Sequence, residues 1–167
     1  MSEIQIDKIG LKVGLEIHQQ LATGSKLFCN CSSIESTDYP LKFTRKLRIA
    51  RSELGELDPS ALFESSKEKT IMYYANPQSS CLVEQDEEPP HDLNSNAREI
   101  ALIIASALKS NIFNEIHVMR KLVIDGSNTS GFQRTMLVGV GGKIEVDGKD
   151  IGVQSVCLEE DAAKLLG

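Results

Sequence analysis

Glu16 and His18 stand two residues apart in the alternating segment Val13-Gly-Leu-Glu-Ile-His-Gln-Gln-Leu21. On an extended strand that spacing puts a carboxylate and an imidazole on one face, about 6.5 to 7 Å apart, a span from which both converge on one divalent cation. A solvated polar strand face is the commoner origin of such a pair. A second acidic group, Glu159-Glu160-Asp161, ends the last apolar run. Magnesium takes oxygen ligands and completes its shell with water and substrate phosphates, so clustered carboxylates suit it. Adjacent strand residues face opposite ways, which keeps Glu159 and Glu160 from sharing one site. Acids at a helix start, stabilised by its dipole, explain the cluster more plainly. The loop at 125–134 is rich in Gly, Ser, Thr and Asn and closes on Arg134, a composition able to wrap N–H groups and hydroxyls around phosphate. It lacks the Gly-Lys-Ser/Thr end of a Walker loop, and an ordinary surface loop accounts for it equally well.

Cys29 and Cys31 offer zinc two thiolates, but a closed structural site takes four ligands. Cys81 stands alone in the sequence, and Glu84 completes a set only outside the usual sulfur and imidazole ligands. Buried, inert thiols are the expectation for Cys81 and Cys157, since His91 and His117 form no recognisable nucleophile arrangement with any thiol. Lys42, Arg45, Lys46, Arg48 and Arg51 crowd residues 41–51 with no acid among them. They suit either phosphate contact or a charge-guarded edge strand.

Positioning these groups needs a scaffold, and the periodicity predicts one. Period-two alternation indicates strands near 11–21 and 41–51, with a loop at 24–34 between them. Asp58-Pro59 opens a helix of about four turns that takes in Leu62, Phe63, Ile71, Met72 and Tyr73. A loop through Asn76-Pro77 and the acids at 84–88 closes at Pro89-Pro90. Asn96 and Glu99 resemble a capping box for a helix at 97–108, apolar nearly all round and expected to be the most buried. Strands follow near 116–124, 135–140 and 151–158. Gly141-Gly142 and Asp147-Gly148 read as tight turns joining an antiparallel meander. The class is α+β, a largely antiparallel sheet with flanking helices.

The 167 residues make about one domain, with 41% hydrophobic and 25% charged residues, which excludes a disordered or collagen-like chain. Its formal charge of −6 repels phosphate backbones, so contact with nucleic acid must be local. The acidic N-terminus is no signal peptide and no apolar run is long enough to span a membrane, so a soluble cytoplasmic protein is expected. The chain stops just after an acidic cluster opens a helical pattern, which suggests a fragment of a longer protein.

Four ordered blocks carry a family resemblance: residues 13–21, Lys26-Leu-Phe-Cys-Asn-Cys31, Asp125-Gly-Ser-Asn-Thr-Ser-Gly-Phe-Gln-Arg-Thr135 and Leu158-Glu-Glu-Asp-Ala-Ala-Lys164. Together they resemble the start of the E-type subunits of archaeal glutamyl-tRNA(Gln) amidotransferase, a family related to the bacterial and organellar B-type subunits. The 125–135 block, Cys81-Leu-Val-Glu84 and Asp86-Glu-Glu-Pro-Pro90 favour the E type over the B type. The resemblance implies that residues 1–167 are the N-terminal portion of a kinase-like catalytic (cradle) domain with a core like that of glutamine synthetase and guanidino kinases. It implies a ligase that works as one half of a heterodimer. It further implies that ATP phosphorylates the γ-carboxylate of glutamyl-tRNA(Gln) and that ammonia from an asparaginase-like D-type subunit displaces the phosphate. Glu16, His18 and Glu160 match positions with catalytic and magnesium-binding roles, Asp161 less firmly. Ser127, Asn128, Thr129 and Arg134 match candidates for phosphate or substrate contact. Glu84 stands where a fourth thiol would be, so zinc at Cys29 and Cys31 is in doubt. Further acidic ligands are expected beyond residue 167, so the fragment alone is expected to be inactive. The rival readings are a non-catalytic tRNA-docking module using the basic strand, and a carboxylate-amine ligase acting on a small molecule.

Overall fold

The longest elements grow out of one tight turn in the computed structural model, which describes residues 10, 12–34, 36–46, 59–122, 132–161 and 163. Asp147 and Gly148 both hold positive φ, 51° and 74°, the left-handed pair that a two-residue hairpin requires. On either side of them β5 (Phe132–Val146) and β6 (Lys149–Asp161) run antiparallel, from Val146 opposite Lys149 to Gln133 opposite Asp161, with a bulge between Leu137 and Gly139. The short strands β3 (Asn111–Ile112) and β4 (Met119–Leu122) pair with the other edge of β5, giving a four-stranded antiparallel sheet. A separate ribbon pairs β1 (Leu41–Lys46) antiparallel with β2 (Thr70–Ala75).

Two helices complete the described elements, α1 (Pro59–Ser66) and α2 (Ser95–Ala107). The cap of α2 is Asn94, whose side chain accepts from the Ala97 N–H at 3.1 Å. This lies two residues before the Asn96 expected from the sequence. Only Ala97, Ala101 and Ala105 of α2 are buried, one residue per turn along a single stripe, while Ile103 is 67% exposed. Small side chains let the helix end lie close to the sheet. A Cβ on Gly142 would stand 2.5 Å from both the Leu108 carbonyl oxygen and Ser110 Oγ. Gly141-Gly142 is therefore not the expected turn: β5 continues through it, and glycine is needed for that close approach. The core gathers Phe28, Val83, Met136 and Val138, with Cys29, Cys31, Val156 and Leu158 around them.

The α+β class and antiparallel pairing stand as expected, and two local readings change. Residues 12–20 form no strand; Val13, Leu15 and Ile17 are 79%, 87% and 84% exposed, because alternation makes a strand only where a partner backbone supplies the ladder. The helix begun at Pro59 ends at Ser66, and Thr70–Ala75 is a strand instead. Glu68 turns the chain with φ of 47°, and the β-branched and aromatic run Thr70-Ile-Met-Tyr-Tyr74 suits a pleated surface. The basic strand is described only as far as Lys46, with Arg48 and Arg51 outside the described residues. Among the described residues no helix is long and apolar enough to cross a membrane.

Candidate functional site

The β5–β6 register sets Arg134 directly opposite Glu160. Arg134 donates from one guanidinium nitrogen to Glu160 Oε1, and both side chains are only 7% exposed. Its other terminal nitrogen reaches the Val83 carbonyl at 3.4 Å and Asp86 Oδ1 at 3.9 Å. The guanidinium carbon lies 5.9 Å from the centroid of the Phe28 ring, so the cation rests on an aromatic face as well as on carboxylates. Glu160 Oε2 is buried with no hydrogen-bond partner. Burial, then the nearby Glu84 carboxylate, push the Glu160 carboxyl above its ordinary range, against the opposing pull of Arg134 and Lys26.

Arg134 also lines an open cavity of about 500 Å³ shared with Asp86, Glu87, Glu88, Pro89, Pro90 and Val118. A guanidinium facing such a space can hold a phosphoryl or carboxylate group through paired N–H donors. The acidic rim suits hard cations. Pro89-Pro90 fixes the rim, and the His91 and Asn94 N–H groups fasten the chain behind it to the Phe28 and Leu27 carbonyls at 2.9 and 2.8 Å.

Beneath this lies a thiol cluster. Ligand atoms of Cys29, Cys31 and Cys81 all fall within 4.8 Å of one another. The Cys81 N–H donates to Cys31 Sγ at 3.3 Å, Cys29 Sγ donates to Glu84 Oε1 at 3.6 Å, and Lys26 Nζ holds Glu84 Oε2. Burial pushes the Cys29 and Cys31 thiols up. Burial acts the same way on Cys81, but the Glu84 N–H, the Cys31 thiol and the Val83 N–H outweigh it and leave that thiol below its ordinary value. Cys81 therefore does not stand alone, as its sequence position suggested. A turn over residues 82–86 folds it back onto the Cys29-Asn-Cys31 loop. Three sulfurs stand close enough to share one ion, one ligand short of a closed tetrahedral zinc site, while Glu84 lies outside that group, engaged by Cys29 Sγ and Lys26.

Glu16 and His18 lie elsewhere in character. His18 Nε2 meets Glu16 Oε1 at 3.2 Å, with side chains 63% and 82% exposed. Their ligand atoms and those of Glu160 do not form a group within 4.8 Å, the cysteine cluster being the only such group among the described residues. The three expected magnesium ligands are thus divided between an exposed segment and a buried ion pair. Asp161 faces away from the cavity side, where the Gln133 side-chain amide donates to it. Ser127, Asn128 and Thr129 fall outside the described residues, while Arg134 sits within β5, beyond the loop that the sequence placed it in. Lys26, Asp86 and Cys81 are members of these clusters that sequence reasoning did not select. Only the Cys81-x-x-Glu84 spacing, which returns both side chains to one side of a turn, carried a signal for them.

Known proteins share this chain's sequence closely. The GatB/GatE catalytic domain profile matches residues 11–167. The E subunit of a glutamyl-tRNA(Gln) amidotransferase from Saccharolobus islandicus is 57% identical over 164 residues, 98% of this chain and 26% of that protein. The corresponding E subunit of Saccharolobus solfataricus is 56% identical over the same shares. That of Aeropyrum pernix is 54% identical over 167 residues, 100% of this chain and 26% of the relative. The chain spans about a quarter of the length of these relatives. Matched from Leu11 to its last residue by one profile, the chain belongs to the GatB/GatE catalytic domain family.

Proposed function

We propose that this chain is the N-terminal part of a protein that amidates glutamyl-tRNA(Gln), with Arg134 at the cavity floor holding the group that is transferred. A γ-carboxylate resists attack by ammonia because it is anionic and has no acceptable leaving group. In the proposed reaction a carboxylate oxygen attacks the γ-phosphorus of ATP and ADP leaves, forming an acyl phosphate. Ammonia then attacks the acyl carbon, and phosphate departs with the carboxylate oxygen and takes up the proton that the nitrogen sheds, leaving as hydrogen phosphate. Each anionic partner repels the other, so fixed positive charge must offset them.

The observation that carries the reading is the buried Arg134–Glu160 pair beside an open cavity, in a family whose relatives bear the amidotransferase name. Arg134 places its positive charge in the cavity wall, where it attracts and orients phosphoryl or carboxylate oxygens, its terminal nitrogens being held by Glu160, the Val83 carbonyl and Asp86. Glu160 is its positioning residue: it accepts from the guanidinium across the β5–β6 register and so fixes the guanidinium plane. The resemblance assigns Glu16, His18 and Glu160 to magnesium and catalysis, and Ser127, Asn128 and Thr129 with Arg134 to the nucleotide. Those roles remain part of the proposal. The orphaned Oε2 of Glu160 suits a cation, but Glu16 and His18 do not gather with it, so no step here runs through a metal. A zinc ion on Cys29, Cys31 and Cys81 would serve as a structural clamp between the 26–31 loop and the cavity rim, with Glu84 able to close the fourth position only by leaving Lys26. The asparaginase-like partner, the cytoplasmic location and the kinase-like core belong to the same proposal.

The test is Arg134→Lys in the complete amidotransferase, read as glutamyl-tRNA(Gln)-dependent ADP formation and as glutaminyl-tRNA(Gln) yield. Lysine keeps the charge and loses the paired donors, so both rates should fall together by about 10- to 100-fold, the scale on which one removed charge-assisted contact acts. Unchanged rates in a folded variant would discard the role of Arg134.

A further inference from the structure

One face of the β1–β2 ribbon is already committed to the protein. Phe43 and Tyr73 stack with centroids 5.2 Å apart and planes 4° apart, and the Arg45 guanidinium lies over both rings at 4.8 and 5.7 Å. The same guanidinium donates to the Gln85 carbonyl and, at 2.6 Å, to Glu87 Oε1. Glu87 lines the Arg134 cavity, so Arg45 ties the ribbon to the cavity rim.

The opposite face is open. Lys42, Thr44 and Lys46 of β1 face Tyr74, Met72 and Thr70 of β2 in register, and all six are exposed. Lys42 Nζ sits 5.2 Å from the centre of the Tyr74 ring, and Met72 and Tyr74 are 54% and 45% exposed. Neither strand contains an acid, although the chain as a whole carries −6. Two exposed ammonium groups, a flat ring and flanking hydroxyls on two strands that carry no carboxylate complement a single-stranded polynucleotide: cations take backbone phosphates and the ring takes a base. An acidic peptide would answer the lysines but give the ring nothing to stack on.

We propose that this face binds the unpaired 3′ end of tRNA, with Lys42 and Lys46 on phosphates and Tyr74 under a base, so that the terminal aminoacyl group is brought toward the cavity that Arg45 links to the ribbon. The inference rests on reading the chain as part of an enzyme of aminoacyl-tRNA, and adds to it a surface separate from Arg134 and Glu160.

The experiment measures tRNA affinity against salt for the complete amidotransferase, using intact tRNA and the same tRNA with its unpaired 3′ nucleotides removed. Lys42→Gln with Lys46→Gln should flatten the log–log salt slope by about 1.4, at roughly 0.7 per single-strand phosphate contact. Lys12→Gln with Lys149→Gln should leave the slope unchanged. Tyr74→Ala should weaken intact tRNA about 5- to 100-fold, the range for one lost stacking contact, and leave the trimmed tRNA unaffected. Tyr74→Phe should bind like the parent protein. Parent binding with variants indistinguishable from it overturns the proposal and leaves the amidotransferase reading standing. Variants that bind tRNA normally but loosen the enzyme's own assembly overturn it in favour of a protein partner. A parent enzyme that binds no tRNA overturns both.

Discussion

Arg134→Met leaves the Glu160 carboxylate in a site 7% exposed, without the guanidinium that now bonds its Oε1, while Oε2 already lacks a partner. Removing one member of a buried ion pair typically costs about 3 to 5 kcal/mol, because the survivor stays desolvated and uncompensated. The Val83 carbonyl loses its donor too, at about 1 kcal/mol or less for a bond as long as 3.4 Å. We therefore expect Arg134→Met to lose about 3 to 5 kcal/mol at pH 7.5 by urea denaturation. The sign of the pH dependence follows from the carboxyl. A carboxyl raised in the folded state contributes stability that is present below its unfolded value, about 4.3, and is lost as pH rises through the folded value. The parent chain already has that sign at Glu160. Without Arg134 the carboxyl rises further, so acidification from pH 7.5 to 5.5 should return up to ~1.4 kcal/mol per pH unit. Arg134→Met with Glu160→Gln removes the buried charge, so it should recover most of the loss and show no such pH dependence. A loss below about 1 kcal/mol, or one that is the same at pH 5.5 and 7.5, would refute the buried-pair reasoning.

Three more outcomes follow from the packing and the thiols. Gly142→Ala puts a Cβ 2.5 Å from the Leu108 carbonyl and Ser110 Oγ, and should cost about 1 to 3 kcal/mol in thermal or chemical unfolding; a neutral effect would mean that α2 does not press on β5. In the reduced, chelated protein, burial holds Cys29 protonated while the unfolded thiol ionises from about pH 8.5. Stability should accordingly fall by about 1.4 kcal/mol per pH unit above that point for this thiol alone, and Cys29→Ala should flatten the curve. Protein purified under reducing conditions should hold zinc by elemental analysis, and Cys81→Ser should release it; equal zinc content in the variant would remove Cys81 from the donor set.

Local chemistry made part of the fold legible and long-range pairing made the rest opaque. Asp147-Gly148 announced its hairpin because few residues accept two successive positive φ values, and α2 announced itself through helical periodicity. Gly141-Gly142 looked identical to a turn signal, since sequence does not distinguish a glycine that bends the chain from one that lets a helix end approach a strand. The alternation at 13–17 was real, yet alternation describes one side of a ladder and the described structure supplies no second side there. Thr70–Ala75 was lost to helix because apolar residues from α1 and β2 happened to fall at helical spacing across Glu68.

The site divides in the same way. Glu160 and Arg134 were both selected from motif matches, but that they oppose each other follows from a register set at the distant Asp147-Gly148 turn, which no local pattern encodes. Cys81 stands alone in the sequence because a thiol 50 residues from Cys31 carries no spacing signature. Glu16 and His18 meet each other although their segment forms no strand, and they do not gather with Glu160, because that requires a partner for the 12–20 segment that local sequence does not name.

The most direct measurement follows an oxygen atom. Glutamyl-tRNA(Gln) carrying ¹⁸O in its γ-carboxylate is turned over by the complete amidotransferase with unlabelled ATP and ammonia, and the released phosphate is analysed by mass. Attack of the carboxylate on the γ-phosphorus predicts ¹⁸O in the phosphate in step with glutaminyl-tRNA(Gln) formation, with Arg134→Lys slowing both alike. Phosphate free of label, at normal amide yield, would contradict the account.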